Sequence, residues 1–149
     1  MPAPSGPHIP LLRSIAPLAA TSDAWISDVW GVFHDGIRPY PAASAACTKF
    51  RAGGGTVVLV SNAPSTGEEV AAHLDSMGIP RSSYDAIVTS GDVTRVLISQ
   101  WAGRPVHHLG PDRYLGTFDG LDVRFASLKE AAVVVCTGLI EDEQETPDD

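Results

Sequence analysis

The feature that most constrains the fold is Thr56-Val57-Val58-Leu59-Val60, an unbroken β-branched and aliphatic run. Gly53-Gly54-Gly55 stands before it and Ser61-Asn62 after it. A run this short and this uniformly apolar reads as a strand buried on both faces of a parallel sheet. Its neighbours repeat the theme. Ala24-Trp25-Ile26-Ser27-Asp28-Val29 reads as an earlier strand whose one charge sits near its carboxyl end, and Ala86-Ile87-Val88-Thr89 as a later one.

Helical patterns fill the intervals. Asp35-Gly36 marks a turn, Pro41-Ala42-Ala43 opens a helix with Ala43, Ala46, Cys47 and Phe50 on one face, and the three glycines stop it. Ser65, three residues before Glu68, predicts a capping box for a second helix, whose Val70, Leu74 and Met77 recur at helical spacing until Gly78 and Pro80. A third helix is expected from about Asp92 to Trp101, with Val93, Val96, Leu97 and Trp101 on one side. Gly103-Arg104-Pro105 marks a border, and Val106–Leu109, Leu121–Phe125 and Ala132–Cys136 read as three more short strands. Strands spaced by helices of this length argue for βαβ units with right-handed crossovers, so the fold class is α/β with a parallel sheet.

Composition closes off other classes. In 149 residues, 14 Gly and 12 Pro amount to about 17%, below the ~25–30% of low-complexity chains. The length suffices for one real core without disulfides. Cys47 and Cys136 have no metal-ligand spacing and are expected to be buried thiols in a reducing, cytoplasmic setting. No stretch approaches the ~20 apolar residues of a membrane span. The net charge is −8, but six of the 18 acids fall in residues 141–149, which leaves a nearly neutral body with its ten bases scattered singly. Without a Lys/Arg stripe, nucleic acid and anionic membranes are excluded as partners. Pro2, Pro4, Pro7 and Pro10 block regular structure, and residues 1–21 read as a flexible leader.

In an open parallel sheet, ligands gather outside the carboxyl ends of the strands. Asp28, Ser61 with Asn62, and Thr89 with Ser90 occupy those ends. If the first two strands are neighbours, a carboxylate that can attack phosphorus and a hydroxyl that can hold phosphoryl oxygens share one crevice. Charge repulsion there calls for an oxygen-bound divalent ion, most naturally Mg²⁺. The alternative is structural: Asp28 caps a turn and Ser61 merely ends a strand.

Asp28-Val29-Trp30-Gly31-Val32, then Pro41 and a helix, the strand ending Val60-Ser61-Asn62, and Ile87-Val88-Thr89-Ser90 resemble the haloacid dehalogenase-like (HAD) hydrolases in order and spacing. The best match is subfamily IIA, the sugar-phosphate and nitrophenylphosphate phosphatases of the N-acetylglucosamine-operon type. The resemblance implies a Rossmann-like core over residues 22–103 with an aspartyl-phosphate intermediate on Asp28. Ser61 and Asn62 would bind phosphate, and Mg²⁺ would be held by the Asp28 carboxylate and the Trp30 backbone carbonyl. It further implies that His34-Asp35-Gly36 is a small flap, that residues 104–149 begin an inserted cap, and that the substrate is a small phosphorylated metabolite.

Two positions depart from that pattern. Trp30 stands where the family's first motif usually has a second Asp that protonates the leaving group, and losing a general acid typically costs ~10²–10⁴ in rate. The family's later Lys and metal-binding acid should follow the cap. Lys49 and Lys129, the only lysines, fit neither place, and Asp148 and Asp149 lie in a solvated charge run. The chain is therefore expected to end before the carboxyl part of the core and to be nearly inactive alone. The competing expectation is a non-catalytic phosphate-ligand-binding or regulatory module. A dinucleotide binder is disfavoured: Gly53–Gly55 follows a helix instead of a strand, and neither a P-loop nor Gly-x-Gly-x-x-Gly occurs. His107 and His108, being adjacent, point to opposite sides of a strand, and Trp25 and Trp101 read as core or interface aromatics. Ser90-Gly91-Asp92 reads as a helix N-cap with anion binding as the lesser alternative. Oligomeric state stays open, since the unpaired sheet edges of an incomplete cap can join another copy.

Overall fold

The computed structural model describes residues 11–141, Gln144 and Thr146. Asp148, Asp149 and most of the acidic run lie outside the described residues. Within the expected leader, one short helix, α1 (Ala16–Ala19), forms, and Ala19 packs against the main core.

Three parallel strands make the first sheet in the order β1 (Ala24–Asp28), β2 (Thr56–Ser61), β3 (Ala86–Thr89). Trp25 registers with Val57, Asp28 with Val60, and Ser61 with Thr89. The connections are α2 (Pro41–Ala52) and α3 (Gly67–Ser76). Strand order advances in one direction, so two right-handed crossovers place both helices on the same face. That face holds the core: Phe33, Val57, Leu59 and Leu74 are fully buried, and Val29, Cys47, Phe50 and Val70 are buried beside them. Trp25 stacks on Phe50 with ring centroids 4.0 Å apart.

The other face is open, which corrects the expectation that β2 is buried on both sides. Ile26 is 79% exposed, and Val60 and Val88 are also exposed. The cause is the helix after β3. α4 (Ser90–Ser99) does not lie across this face, and it buries Ile98 in a second cluster. The expected apolar side of α4 is therefore solvent-facing as well: Val93, Val96 and Leu97 are all exposed.

That second cluster, with Val106, Phe118 and Val135, belongs to a second parallel sheet in the order β5 (Arg124–Phe125), β4 (Pro105–Leu109), β6 (Val133–Cys136). A 3₁₀ segment, Asp112–Phe118, follows β4. The strand expected over Leu121–Phe125 shrinks to two residues. Cys136 is exposed where a buried thiol was expected, because alternation on β6 turns Val135 inward and Cys136 outward. Cys47 is buried, and burial raises its thiol pKa. His107 and His108 do diverge: one bonds the Ala126 carbonyl (3.0 Å) and the other the Thr137 hydroxyl (2.8 Å).

The capping box also sits one residue later than expected. Thr66, not Ser65, is the N-cap: its hydroxyl accepts from the Glu69 N–H (3.3 Å), and the Glu69 carboxylate accepts from the Thr66 N–H (2.7 Å). Thr66→Ala should cost about 1 kcal/mol of stability, whereas Ser65→Ala should leave the urea midpoint within experimental error. Equal losses in the two variants would refute the assignment.

Asp85, just before β3, joins three elements. Its carboxylate takes a two-pronged bond from Arg51 on α2 (2.9 and 2.6 Å) and the Val57 N–H of β2 (2.7 Å). The hydrogen bond from Arg51, then that from Val57, hold the Asp85 pKa below the ordinary carboxylate value. The unfolded chain therefore takes up this proton first as pH falls, and the stabilisation is whole above about pH 4 and is lost on further acidification. Asp85→Asn should lower the urea midpoint at neutral pH, with the gap to wild type closing progressively below about pH 4. A gap that stays constant into that acid range would show that the carboxylate charge is not what joins these elements.

Candidate functional site

The carboxyl edge of the first sheet is where sequence and topology both place polar groups. Asp28 ends β1 and Ser61 ends β2. Because Asp28 registers with Val60, Ser61 lies one residue further along, and the pleat turns the two side chains to opposite faces. Asp28 is exposed, and its Oδ1 accepts the Val29 N–H at 2.7 Å, a turn-capping bond of the kind the structural alternative requires. Ser61 is 9% exposed, and its Oγ accepts the Ala63 N–H at 3.2 Å. Asn62 is exposed.

The segment after β1 is tightly built. Phe33 and Gly31 donate to the Val29 and His34 carbonyls (2.8 and 2.7 Å), Tyr40 donates to the Phe33 carbonyl (2.7 Å), and the Asp35 carboxylate accepts the Ile37 and Arg38 N–H groups. Those two amides, that of Arg38 foremost, hold the Asp35 pKa below the usual range. Gly36 adopts φ +92°, and a Cβ there would strike the indole of Trp30, so only glycine closes this turn. Trp30 itself is 63% exposed.

This construction buries His34 to 4% exposure, with its Nδ1 accepting the Gly36 N–H at 2.9 Å. Its ring meets Trp30 and His73 edge-on, each with centroids 5.4 Å away. Burial first, then the nearby His73, lowers the His34 pKa, against a smaller pull upward from Asp35. A cleft of about 200 Å³ runs between this loop, Ser61, Ala63 and Ser65 of the β2–α3 connection, and Glu69, Val70 and His73 of α3. Sequence reasoning missed this grouping. His34 and His73 lie far apart in the chain, and no local spacing links them.

A second, shallower cleft of about 290 Å³ joins Ser61 to Thr89, Ser90 and Val93. At the helix N-termini beside it, several N–H groups already have partners. Asp92 accepts the Gly67 N–H (3.0 Å) and donates its own N–H to the Thr89 hydroxyl (2.9 Å), and Gly91 donates to the Ala63 carbonyl (3.1 Å). The N-cap of α4 is thus Thr89, with Asp92 completing a capping box. A larger cavity, about 580 Å³, lies at the opposite end of the sheet against Trp25, Phe50 and the three glycines.

A family model described as haloacid dehalogenase-like hydrolase matches residues 25–124. The chain belongs to this family. A solved haloacid dehalogenase-like hydrolase from Brucella suis is 45% identical, with a TM-score of 0.84 over 93% of this chain and 52% of that one. A 4-nitrophenylphosphatase from Thermotoga maritima (22% identity, TM-score 0.62, 88% and 49% covered) shares the fold. So does a glycerol phosphate phosphatase from Mycobacterium tuberculosis in complex with magnesium (24% identity, TM-score 0.60, 81% and 37% covered). The chain thus spans about half or less of the length of these relatives. No curated protein matches it.

For this HAD-like chain, metal donors are right in kind but few. The Asp28 carboxylate and Trp30 carbonyl are oxygens, as a hard cation prefers. Among the described residues no group of three His, Cys, Asp or Glu side chains could hold an ion.

The wall of the cleft depends on Gly91. A Cβ there would meet the backbone carbonyls of Pro64 and Ser65, which cannot rotate aside. Gly91→Ala should cost about 1–3 kcal/mol through overpacking and shift the amide NMR signals of Ala63 and Ser65. An unchanged denaturation midpoint would show that the loop can move away freely.

Proposed function

We propose that this chain carries the nucleophile and the phosphate-holding hydroxyl of a HAD-like phosphatase acting on a small phosphorylated metabolite. The observation that carries the reading is the placement of Asp28 and Ser61 at the carboxyl ends of adjacent parallel strands, within a segment matched to the family. An Asp28 oxygen attacks phosphorus while the P–O ester bond breaks. The electron pair leaves on the ester oxygen, which takes its proton from water. A second water then attacks the acyl-phosphate at phosphorus and returns the carboxylate, giving inorganic phosphate. Although the pleat turns the Asp28 and Ser61 side chains to opposite faces, both stand at the last residue of their strands, and a phosphoryl group seated across that open edge would take the Ser61 hydroxyl proton on one oxygen, with Asn62, exposed beside it, offering further donors.

Mg²⁺, when bound by the Asp28 carboxylate and the Trp30 carbonyl, neutralises charge between carboxylate and phosphate. Mg²⁺ commonly keeps several waters with only one or two carboxylates and the substrate phosphate as partners, so a two-oxygen protein site suits it. Trp30 cannot deliver a proton, so the leaving oxygen must be a stable anion or be stabilised by another group. Residues 22–103 form the core in this reading, and the second sheet, within 104–149, begins the substrate-selecting cap.

A second reading, a non-catalytic module that binds a phosphate ester, is favoured by the indole at position 30, which has no proton to give a leaving group. Trapping separates the two. Incubation with Mg²⁺ and acetyl phosphate should place one phosphoryl group on Asp28, read by peptide mass spectrometry and abolished in Asp28→Asn. Binding of a phosphate ester with no adduct, unchanged in Asp28→Asn, would replace the enzyme by the module.

A further inference from the structure

The 200 Å³ cleft beside Ser61 contains a polar atom that neither the fold nor the proposed chemistry uses. His34 is hydrogen-bonded through Nδ1 alone, as the acceptor of the Gly36 N–H. In a neutral imidazole, the nitrogen that accepts is the one without hydrogen, so the other nitrogen, Nε2, carries the proton. The turn that glycine alone can close therefore fixes a tautomer. The ring lines the cleft together with Trp30, Ser61, Ser65, Glu69 and His73.

The tautomer decides what the cleft can take. A metal ion would need a lone pair on Nε2, which the Gly36 bond denies, and no three-ligand group exists among the described residues. An ammonium would face the His34 N–H with its own and find its acceptor in the Glu69 carboxylate at the rim, so it gains nothing from His34. What Nε2–H fits is an acceptor oxygen. Glu69 adds a carboxylate to the rim while its Oε2 is committed to Thr66, and Val29 and Val70 supply apolar wall. At about 30 Å³ per water-sized group, the space holds on the order of six or seven non-hydrogen atoms. That is the size of a short oxygenated carbon chain.

We propose that this cleft binds the organic part of the phosphate ester, and that His34 Nε2–H is the donor that recognises a hydroxyl or carbonyl oxygen on it. The proposal rests on the phosphatase or phosphate-binding reading of Ser61, since the cleft is continuous with that residue. His34 acts here as a specificity residue: it transfers no proton and discriminates by one hydrogen bond. His73, edge-on to His34, closes the side of the cleft formed by α3.

The test uses the full chain and three probes: inorganic phosphate, glycerol 3-phosphate, and propyl phosphate, which has the same carbon count without hydroxyls. By calorimetry, wild type should prefer glycerol 3-phosphate to propyl phosphate by roughly three- to tenfold, the worth of one hydrogen bond. His34→Phe should bring the ratio to about one while phosphate binding persists, and His34→Gln, which keeps an N–H near the Nε2 position, should restore part of it. In case His34→Phe fails to fold, imidazole ¹⁵N NMR of wild type reads the same claim. The His34 Nε2–H proton should shift with glycerol 3-phosphate and stay put with propyl phosphate. No preference in wild type, a preference that survives His34→Phe, or a protonated Nδ1 each overturns the inference alone, provided phosphate binds and Ser61→Ala abolishes that binding. Failure of all three probes to bind overturns the reading of Ser61 and this inference with it.

Discussion

Parallel pairing of three strands by two right-handed crossovers is the constraint from which the rest of this structure follows. Parallel strands cannot be joined by a tight turn, so each return runs through a helix, and both helices fall on one face of the sheet. The same rule gathers every strand's carboxyl end at one edge. Asp28, Ser61 and Thr89 stand together there because of topology, and no interaction among their side chains is needed to bring them. The loops that leave that edge then determine which groups face the shared space.

Chemistry at this edge is distributed unequally. Several backbone donors that could hold an anion are taken: Glu69 accepts the Thr66 N–H, and Asp92 accepts those of Gly67 and Thr89. The buried Thr117 ties the β2–α3 loop to the second sheet's 3₁₀ segment, donating to the Pro64 carbonyl (2.7 Å) while its own carbonyl accepts from Arg95 (2.8 Å). What stays available is side-chain chemistry, namely a carboxylate, a hydroxyl and a fixed imidazole N–H. The open face carries Ile26, Val60 and Val88 beside Val93, Val96 and Leu97. An apolar surface of that kind on a parallel sheet is unusual in an isolated unit.

How much was legible beforehand depended on how local the cause was. The strand runs of the first sheet, the Pro41 helix start and the glycine stop are written in adjacent residues, and they appear where the pattern put them. The capping box slipped by one because Ser65–Glu68 and Thr66–Glu69 both satisfy the same spacing, and only the turn geometry chooses between them. The burial of β2 and α4 was misjudged because apolar composition records what a segment could bury, while exposure depends on what covers it. Cys136 shows the same limit at one residue, since strand alternation fixes its side but the covering of that side is non-local.

The sequence by itself determined the α/β class, the strand ends and the candidate residues Asp28 and Ser61, because periodicity and turn chemistry act over a few residues. It also carried the family resemblance, which the match over residues 25–124 bears out. Only the tertiary structure decided that His34 is buried, that Gly36 fixes its tautomer, and that His73 arrives beside it from α3. The reason is physical: a hydrogen bond across a turn and a contact across the fold depend on where the backbone goes. Residue order constrains that path without specifying which side chains meet.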